Sequence, residues 1–226
     1  MKNKIVAFIA AVVKAGIFTG VLTMPYTYTQ AHAATATERL LDFFTNVHSM
    51  QADFTQTVSA QGFTDKDTSK GVFRLLRPGK FRWDYEQPYQ QQIIADGNKL
   101  WIYDVDMDQI IVKSLNSVLG QTPAVLLSGT ASLTDRFDIQ DLPQRDKLGL
   151  AWVQLRPKDT ESSYEKLLLG FASDNIQAME LVDNFGQVTL LKFSNLKRNL
   201  KIDPAIFQFQ PPPGVDVIGD EELAPE

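Results

Sequence analysis

The pattern of apolar residues predicts a mainly β protein with short helices, its antiparallel sheet curled into a barrel or half-barrel. Two observations predict this. Apolar and polar residues alternate over much of the chain, most cleanly at Lys80 to Glu86, where Phe81, Trp83 and Tyr85 face one way and Lys80, Arg82, Asp84 and Glu86 the other. Turn formers also recur at short intervals: Pro78-Gly79, Asp96-Gly97-Asn98, Asp104 to Gln109, Ser173-Asp174-Asn175 and Asp183 to Gly186. Neighbouring strands therefore join as hairpins. Parallel neighbours need long crossovers, which this pattern lacks, and so long an antiparallel run must curl to manage its edges.

The elements follow in order. Lys2 and Lys4 precede a mostly apolar stretch from Ile5 to Leu22 and a polar run closing on Ala31-His32-Ala33, the layout of a cleavable secretory signal. Lys14 and Gly16 interrupt the stretch, leaving it short of the ~20 apolar residues of a spanning helix. Cleavage is expected after Ala33, with residues 34–226 forming one domain. Thr35-Ala36-Thr37-Glu38 then matches a capping box, and Leu40, Leu41, Phe44 and Val47 recur at helical spacing, predicting an amphipathic helix over about residues 36–48. Ala52, Phe54 and Val58 begin the two-residue beat of the strands. Thr122-Pro123 to Ser128-Gly129 places a cap, a first-turn proline and a terminal glycine around Ala124, Val125, Leu126 and Leu127, which spells a very short helix. Another short helix is expected at Ser132 to Phe137. Phe207 and Phe209 alternate with glutamines before Pro211-Pro212-Pro213-Gly214 ends any strand, and residues 218–226 are expected to form a flexible acidic tail, although composition leaves open an extra strand across the barrel from Val215 onward.

Composition narrows the function. The formal net charge is −5, and Lys2, Lys4 and Lys14 all precede the expected cut, so the exported part is more acidic still. That disfavours nucleic acid and anionic membrane surfaces as partners. With no cysteine there is no disulfide framework, no thiol chemistry and no attachment point for a lipoprotein's own lipid. An enzyme needs a nucleophile, a base or a metal. Beyond Ala33 the one histidine is His48, at the expected end of the first helix, where it complements the helix dipole. Nucleophile elbow, zinc spacing and phosphate loop are all absent from the sequence, so no catalytic residue, metal or cofactor is expected. Asp104, Asp106 and Asp108 begin like a calcium loop, but Gln109 replaces its glycine and Leu115 its glutamate, which leaves a solvated turn. Asp84 and Glu86 read as solvated too. Phe54, Phe73, Phe81, Trp83, Tyr85 and Trp101 supply the aromatic content of the sheet, and alternation describes a packed core and a ligand cavity equally well.

Leu76-Arg77-Pro78-Gly79-Lys80-Phe81-Arg82-Trp83 resembles the Arg-Pro-x-x-Phe-x-Trp signature of the periplasmic lipoprotein carriers, the LolA family. Asp53-Phe54-Thr55-Gln56, Asp96-Gly97 with Leu100-Trp101-Ile102-Tyr103, Thr122-Pro123, and Phe207-Gln208-Phe209 before Pro211-Pro212 resemble the family's segments in the same order. The resemblance implies an incomplete antiparallel barrel covered by a helical lid, with a hydrophobic cavity between them. It implies a monomeric carrier that takes acylated lipoproteins from an inner-membrane ABC-type releasing complex and hands them to an outer-membrane receptor. Arg77 matches the family's lid-latching arginine, and Phe81 beside it an aromatic position that receives cargo. Phe54, Phe73, Trp83 and Trp101 are then expected in the cavity wall, with Leu40, Leu41, Phe44, Val47, Pro123, Val125, Leu126 and Leu127 in the lid. The pathway's receptor shares the fold but needs an N-terminal lipid on cysteine. A sensing module with the same fold is the alternative, and it would be expected to bring a second domain.

Overall fold

A computed structural model describes residues 34–59, 67–115, 126–129, 133–143 and 149–219. Helix α1 (Ala36–Asn46) begins as its sequence dictates: Thr35 Oγ1 accepts from the Glu38 amide at 3.1 Å, while the Glu38 carboxylate accepts from the Thr35 amide at 2.8 Å. It ends at Asn46, short of the expected residue 48. The cause is Asn199, whose side-chain amide donates to the Asn46 carbonyl and accepts from the His48 amide, both at 2.8 Å, while Val47 is already extended. One side chain distant in sequence stands in for the next helical turn.

Twelve strands form one sheet: β1 (Ser49–Ser59), β2 (Asp67–Leu76), β3 (Lys80–Gln87), β4 (Gln91–Asp96), β5 (Lys99–Asp104), β6 (Gln109–Ser114), β7 (Phe137–Leu142), β8 (Ala151–Pro157), β9 (Tyr164–Ala172), β10 (Asn175–Asp183), β11 (Val188–Arg198) and β12 (Asp216–Gly219). The order is β12-β6-β5-β4-β3-β2-β1-β11-β10-β9-β8-β7, so the sheet has two ends, β12 and β7, and is not closed. Residues from both halves nevertheless share one core with α1, including Phe81 on β3, Phe171 on β9 and Phe43 on the helix, which requires the sheet to curl. A single helical turn at Leu133–Arg136 precedes β7, as its sequence predicts.

The C-terminal segment departs from expectation. Every pairing is antiparallel except β12 with β6, which is parallel, and Ile218 and Gly219 belong to that strand instead of a flexible tail. Parallel pairing is possible because the long return through residues 199–215 supplies the crossover a hairpin cannot. Pro204–Phe207 forms a 3-10 turn, not a strand, because the Asp203 carboxylate caps the Ala205 amide at 2.9 Å and Pro204 occupies the first turn. This segment buries the outer face of β4 to β6, where Phe209 meets Trp101 and Tyr103 at 5.5 and 5.8 Å. Asp84 is likewise not solvated: its carboxylate pairs with Arg74 at 2.9 Å and Arg82 at 2.8 Å on that outer side.

Gly71 shows how tightly β2 meets β3. It pairs with Phe54 on β1 and Tyr85 on β3, whose rings meet edge to face at 5.1 Å, and a Cβ there would stand 1.8 Å from the Asp84 carbonyl oxygen. Gly71→Ala is expected to lower stability by about 3 kcal/mol, read as a fall in Tm; an unchanged Tm would mean the two strands separate without cost.

Candidate functional site

The β2–β3 turn carries Arg77 to a point where three parts of the chain meet. Its Nη1 donates to the carbonyls of Phe43, Phe44 and Val47 at 2.8, 3.1 and 2.5 Å, and its Nε and Nη2 both donate to the Leu127 carbonyl at 3.1 and 3.0 Å. The guanidinium also lies over the rings of Phe43 and Phe44, 5.0 and 4.6 Å from their centroids. Burial pulls the Arg77 pKa down to about 10, which leaves the group cationic at neutral pH. The last carbonyls of a helix lack partners within it and form the negative end of its dipole, so a cation is favoured here. The same turn reaches further, since the Arg77 amide donates to the His48 carbonyl at 2.8 Å and the Gly79 amide to the Ser128 carbonyl at 3.2 Å.

The other end of α1 is held by the opposite half of the sheet. The Thr37 amide and hydroxyl donate to Asp141 on β7, and Arg39 donates to the Ser173 carbonyl in the β9–β10 turn and pairs with Asp174. Between these ties the helix presses Leu40, Phe43 and Val47 into the concave face of the sheet. Four of the five aromatic residues predicted for that face are present and buried. Trp83 meets Phe54 at 5.2 Å and Phe73 at 4.8 Å, and Phe81 lies on the same face two residues along β3.

Trp101 is the exception. It pairs with Ile94 and Val112, which point outward, and packs under Phe209 on the far side of the sheet, so it forms no part of the concave wall. Leu41 is a second correction, being 43% exposed, because the buried ridge of α1 runs through Ala36, Leu40, Phe43 and Val47. Phe43, which the helical spacing also allowed, is the residue missed. Phe44 and Leu126 are half-buried and Leu127 is fully buried, whereas Pro123 and Val125 lie outside the described residues. Asn199 was missed as well, and its position in a run of polar residues gave no signal.

Among the described residues the concave face is closely packed. Phe54, Phe73, Phe81 and Trp83 are at most 4% exposed, with the side chains of α1 packed among the same residues. An open cavity of about 450 Å³ lies instead at the strand ends, lined by Gln56, Tyr85, Pro88, Tyr89 and Met107, with Asp104 and Asp106 also contributing. Tyr85 borders both regions, its hydroxyl donating to Gln56 Oε1 at 3.0 Å, and burial pushes its pKa up to about 12 despite that bond. Asp104 ends β5 and accepts from the Met107 amide of the following turn at 3.1 Å. Among the described residues no cluster of three or more histidine or carboxylate side chains could hold a metal ion, and no helix is long and apolar enough to cross a membrane.

Comparison with known proteins gives this arrangement a family. The model of the outer membrane lipoprotein carrier protein LolA matches residues 45–210. The chain belongs to the LolA family. A protein of Methylococcus capsulatus named outer-membrane lipoprotein carrier protein is 46% identical over 187 residues, covering 83% of this chain and 89% of its own. One of Methylobacillus flagellatus with the same name is 44% identical over 188 residues, covering 83% and 90%. The crystal structure of an uncharacterized conserved protein from Thermus thermophilus is similar in fold alone, with a TM-score of 0.53 at 14% identity over 82% of this chain and 99% of that one. LolA proteins are carriers and not enzymes, so no residue described above is assigned a chemical step.

Two glycines separate the geometry of Arg77 from simple backbone strain. Gly129 and Gly149 have nearly the same left-handed φ, +71° and +70°. A Cβ at Gly129 would lie 2.9 Å from Arg77 Nε, whereas at Gly149 it would meet nothing within 4 Å. Gly129→Ala is expected to speed hydrogen exchange at the α1 amides roughly tenfold over Gly149→Ala, a loss comparable to one hydrogen bond to a charged group. Equal exchange in the two variants would show that displacing Arg77 does not loosen the helix.

Proposed function

We propose that this protein carries acylated lipoproteins across the periplasm, holding their acyl chains against the concave aromatic face once α1 and the Leu126–Gly129 segment have moved off it as a lid. The observation that carries this reading is the set of bonds from the Arg77 guanidinium to carbonyls of both helical segments. A core built only for stability has no need to join its covering elements through one charged side chain. Releasing that one side chain loosens both covers at the same edge.

Family membership supports the cargo class, and its physics supports the need for a carrier. Each buried methylene is worth ~0.8 kcal/mol, so a protein bearing several acyl chains does not leave a membrane for water unaided. Cargo is taken from an inner-membrane ABC-type releasing complex and passed to an outer-membrane receptor, with Phe81 receiving the chains beside Arg77. Export follows from the signal-like N-terminus, with cleavage after Ala33. A cut there leaves the Thr35 capping box whole, so α1 keeps its N-terminal bonds.

Closure and cargo compete for the same apolar face, because Leu40, Phe43 and Val47 occupy it in the closed protein. The bonds of Arg77 favour closure by about 1.5–3 kcal/mol, the range for hydrogen bonds to a charged group, and thereby favour release. Arg77→Leu is expected to hold a labelled triacylated lipoprotein roughly tenfold or more tightly than the parent, because closure competes less with it, and to transfer it to outer-membrane receptors at least about tenfold more slowly. Transfer at the parent rate would remove the latch role.

A further inference from the structure

We propose that the indole N–H of Trp83 receives the carbonyl at the head of a bound acyl chain, which sets how deeply that chain sits in the carrier. The inference rests on the carrier reading above. Its starting point is an unpaired donor: Trp83 Nε1 is a buried side-chain polar atom with no hydrogen-bond partner among the described residues, on a side chain 4% exposed. Buried tryptophans ordinarily find an acceptor for this N–H. Trp101, on the outer face, has Asp96 Oδ2 at 3.4 Å.

The surroundings of Trp83 explain why the fold offers it no acceptor. The ring is enclosed by Phe54 at 5.2 Å, Phe73 at 4.8 Å and Tyr85, which stacks at 6.2 Å with 15° between planes. None of these rings carries a carbonyl or carboxylate, and the Tyr85 hydroxyl is turned to Gln56, to which it donates. In the free protein the donor is therefore a cost. A phenylalanine would fill much of the space without it.

An acyl group is the chemical complement of such a site. It brings a long hydrocarbon and, at its head, a neutral carbonyl that accepts but does not donate. Entering an apolar cavity unpaired, that carbonyl would itself lose its hydration. Meeting Trp83, both orphaned groups are satisfied at once. A neutral indole gives no charge to hold a free carboxylate, so the site selects esters and amides over fatty acid anions. Trp83 also stands in the right place, because Tyr85, two residues on, lines the open cavity of about 450 Å³. A chain laid along β3 from Phe81 towards that opening passes over the indole.

The test replaces Trp83 with benzothienylalanine, which keeps the ring shape and removes the N–H, alongside Trp83→Phe as a genetic counterpart. Two lipopeptide probes are compared: one with an N-acyl amide and two acyl esters on its glyceryl group, the other with the same amide and two alkyl ethers. For the parent protein, the Trp83 indole proton resonance is expected to move downfield on binding. The analogue is expected to be no less thermally stable when free, and to bind roughly three- to tenfold more weakly, the worth of one neutral hydrogen bond. A loss confined to the ester probe identifies the ester carbonyl, and an equal loss on both identifies the amide. If both probes bind parent and analogue equally well, the inference is overturned while the carrier reading stands. A free analogue less stable than the parent would show that the N–H already has a structural partner, such as a ring face, and would also overturn it. If the parent binds neither probe, the carrier reading fails and this inference with it.

Discussion

A guanidinium cannot be buried without acceptors, and the acceptors that Arg77 finds are backbone carbonyls from two helical ends. This single constraint organises the covered side of the sheet. Carbonyls of Phe43, Phe44 and Val47 can converge on one nitrogen because α1 stops there, and it stops there because Asn199 satisfies Asn46 and His48 from the end of β11. The Leu127 carbonyl completes the set only if Gly129 leaves room beside the arginine. Four separate stretches of chain thus have to be in place before one side chain is satisfied. The aromatic face beneath can then be free of charge, since the polar work of attaching its cover is done at the rim.

That division explains much of the rest. The concave face carries no ion pair among its described residues; Phe54 and Phe73 meet Trp83, and Phe43 meets Phe171, by edge and tilted contacts. The charges of β2 and β3 go to the other side, where Asp84 lies between Arg74 and Arg82 under the C-terminal segment. Alternation along β3 is therefore more than a folding signal. It separates a surface suited to hydrocarbon from the ion pairs that stiffen the strand behind it.

How much of this was legible follows from the kind of information each feature uses. The start of α1, the hairpin turns and the face shared by Phe81 and Trp83 are local, written in capping residues, turn formers and a period of two. Trp101 was misplaced because Leu100-Trp101-Ile102-Tyr103 is an apolar run without alternation. Such a run belongs to a strand covered on both sides, and the cover over Trp101 is a segment more than 100 residues further on. Leu41 and Phe43 were exchanged because the apolar arc of α1 is wide enough to rotate, and its final angle depends on Phe171 and Arg77. The environment of Arg77 has no trace in composition at all, since its partners are main-chain atoms that every residue possesses. Family resemblance pointed to that residue where periodicity could not.

The choice of carbonyls over carboxylates has a further consequence for a protein that must both hold and release. A buried arginine–carboxylate pair, once separated, leaves two full charges to be accommodated and is strongly destabilised by removal of either partner. Carbonyls at a helix end are neutral, and water replaces their partner readily when the helix moves away. In the proposed carrier cycle, closed and open arrangements would then differ by the few kcal/mol of charge-assisted hydrogen bonds, a gap small enough for buried acyl chains to overcome. The unpaired indole donor of Trp83 on the covered face would, on the same proposal, shift that balance towards the filled form. On that reading apolar area would supply the strength of binding, and these few polar groups would set the point at which binding gives way to release.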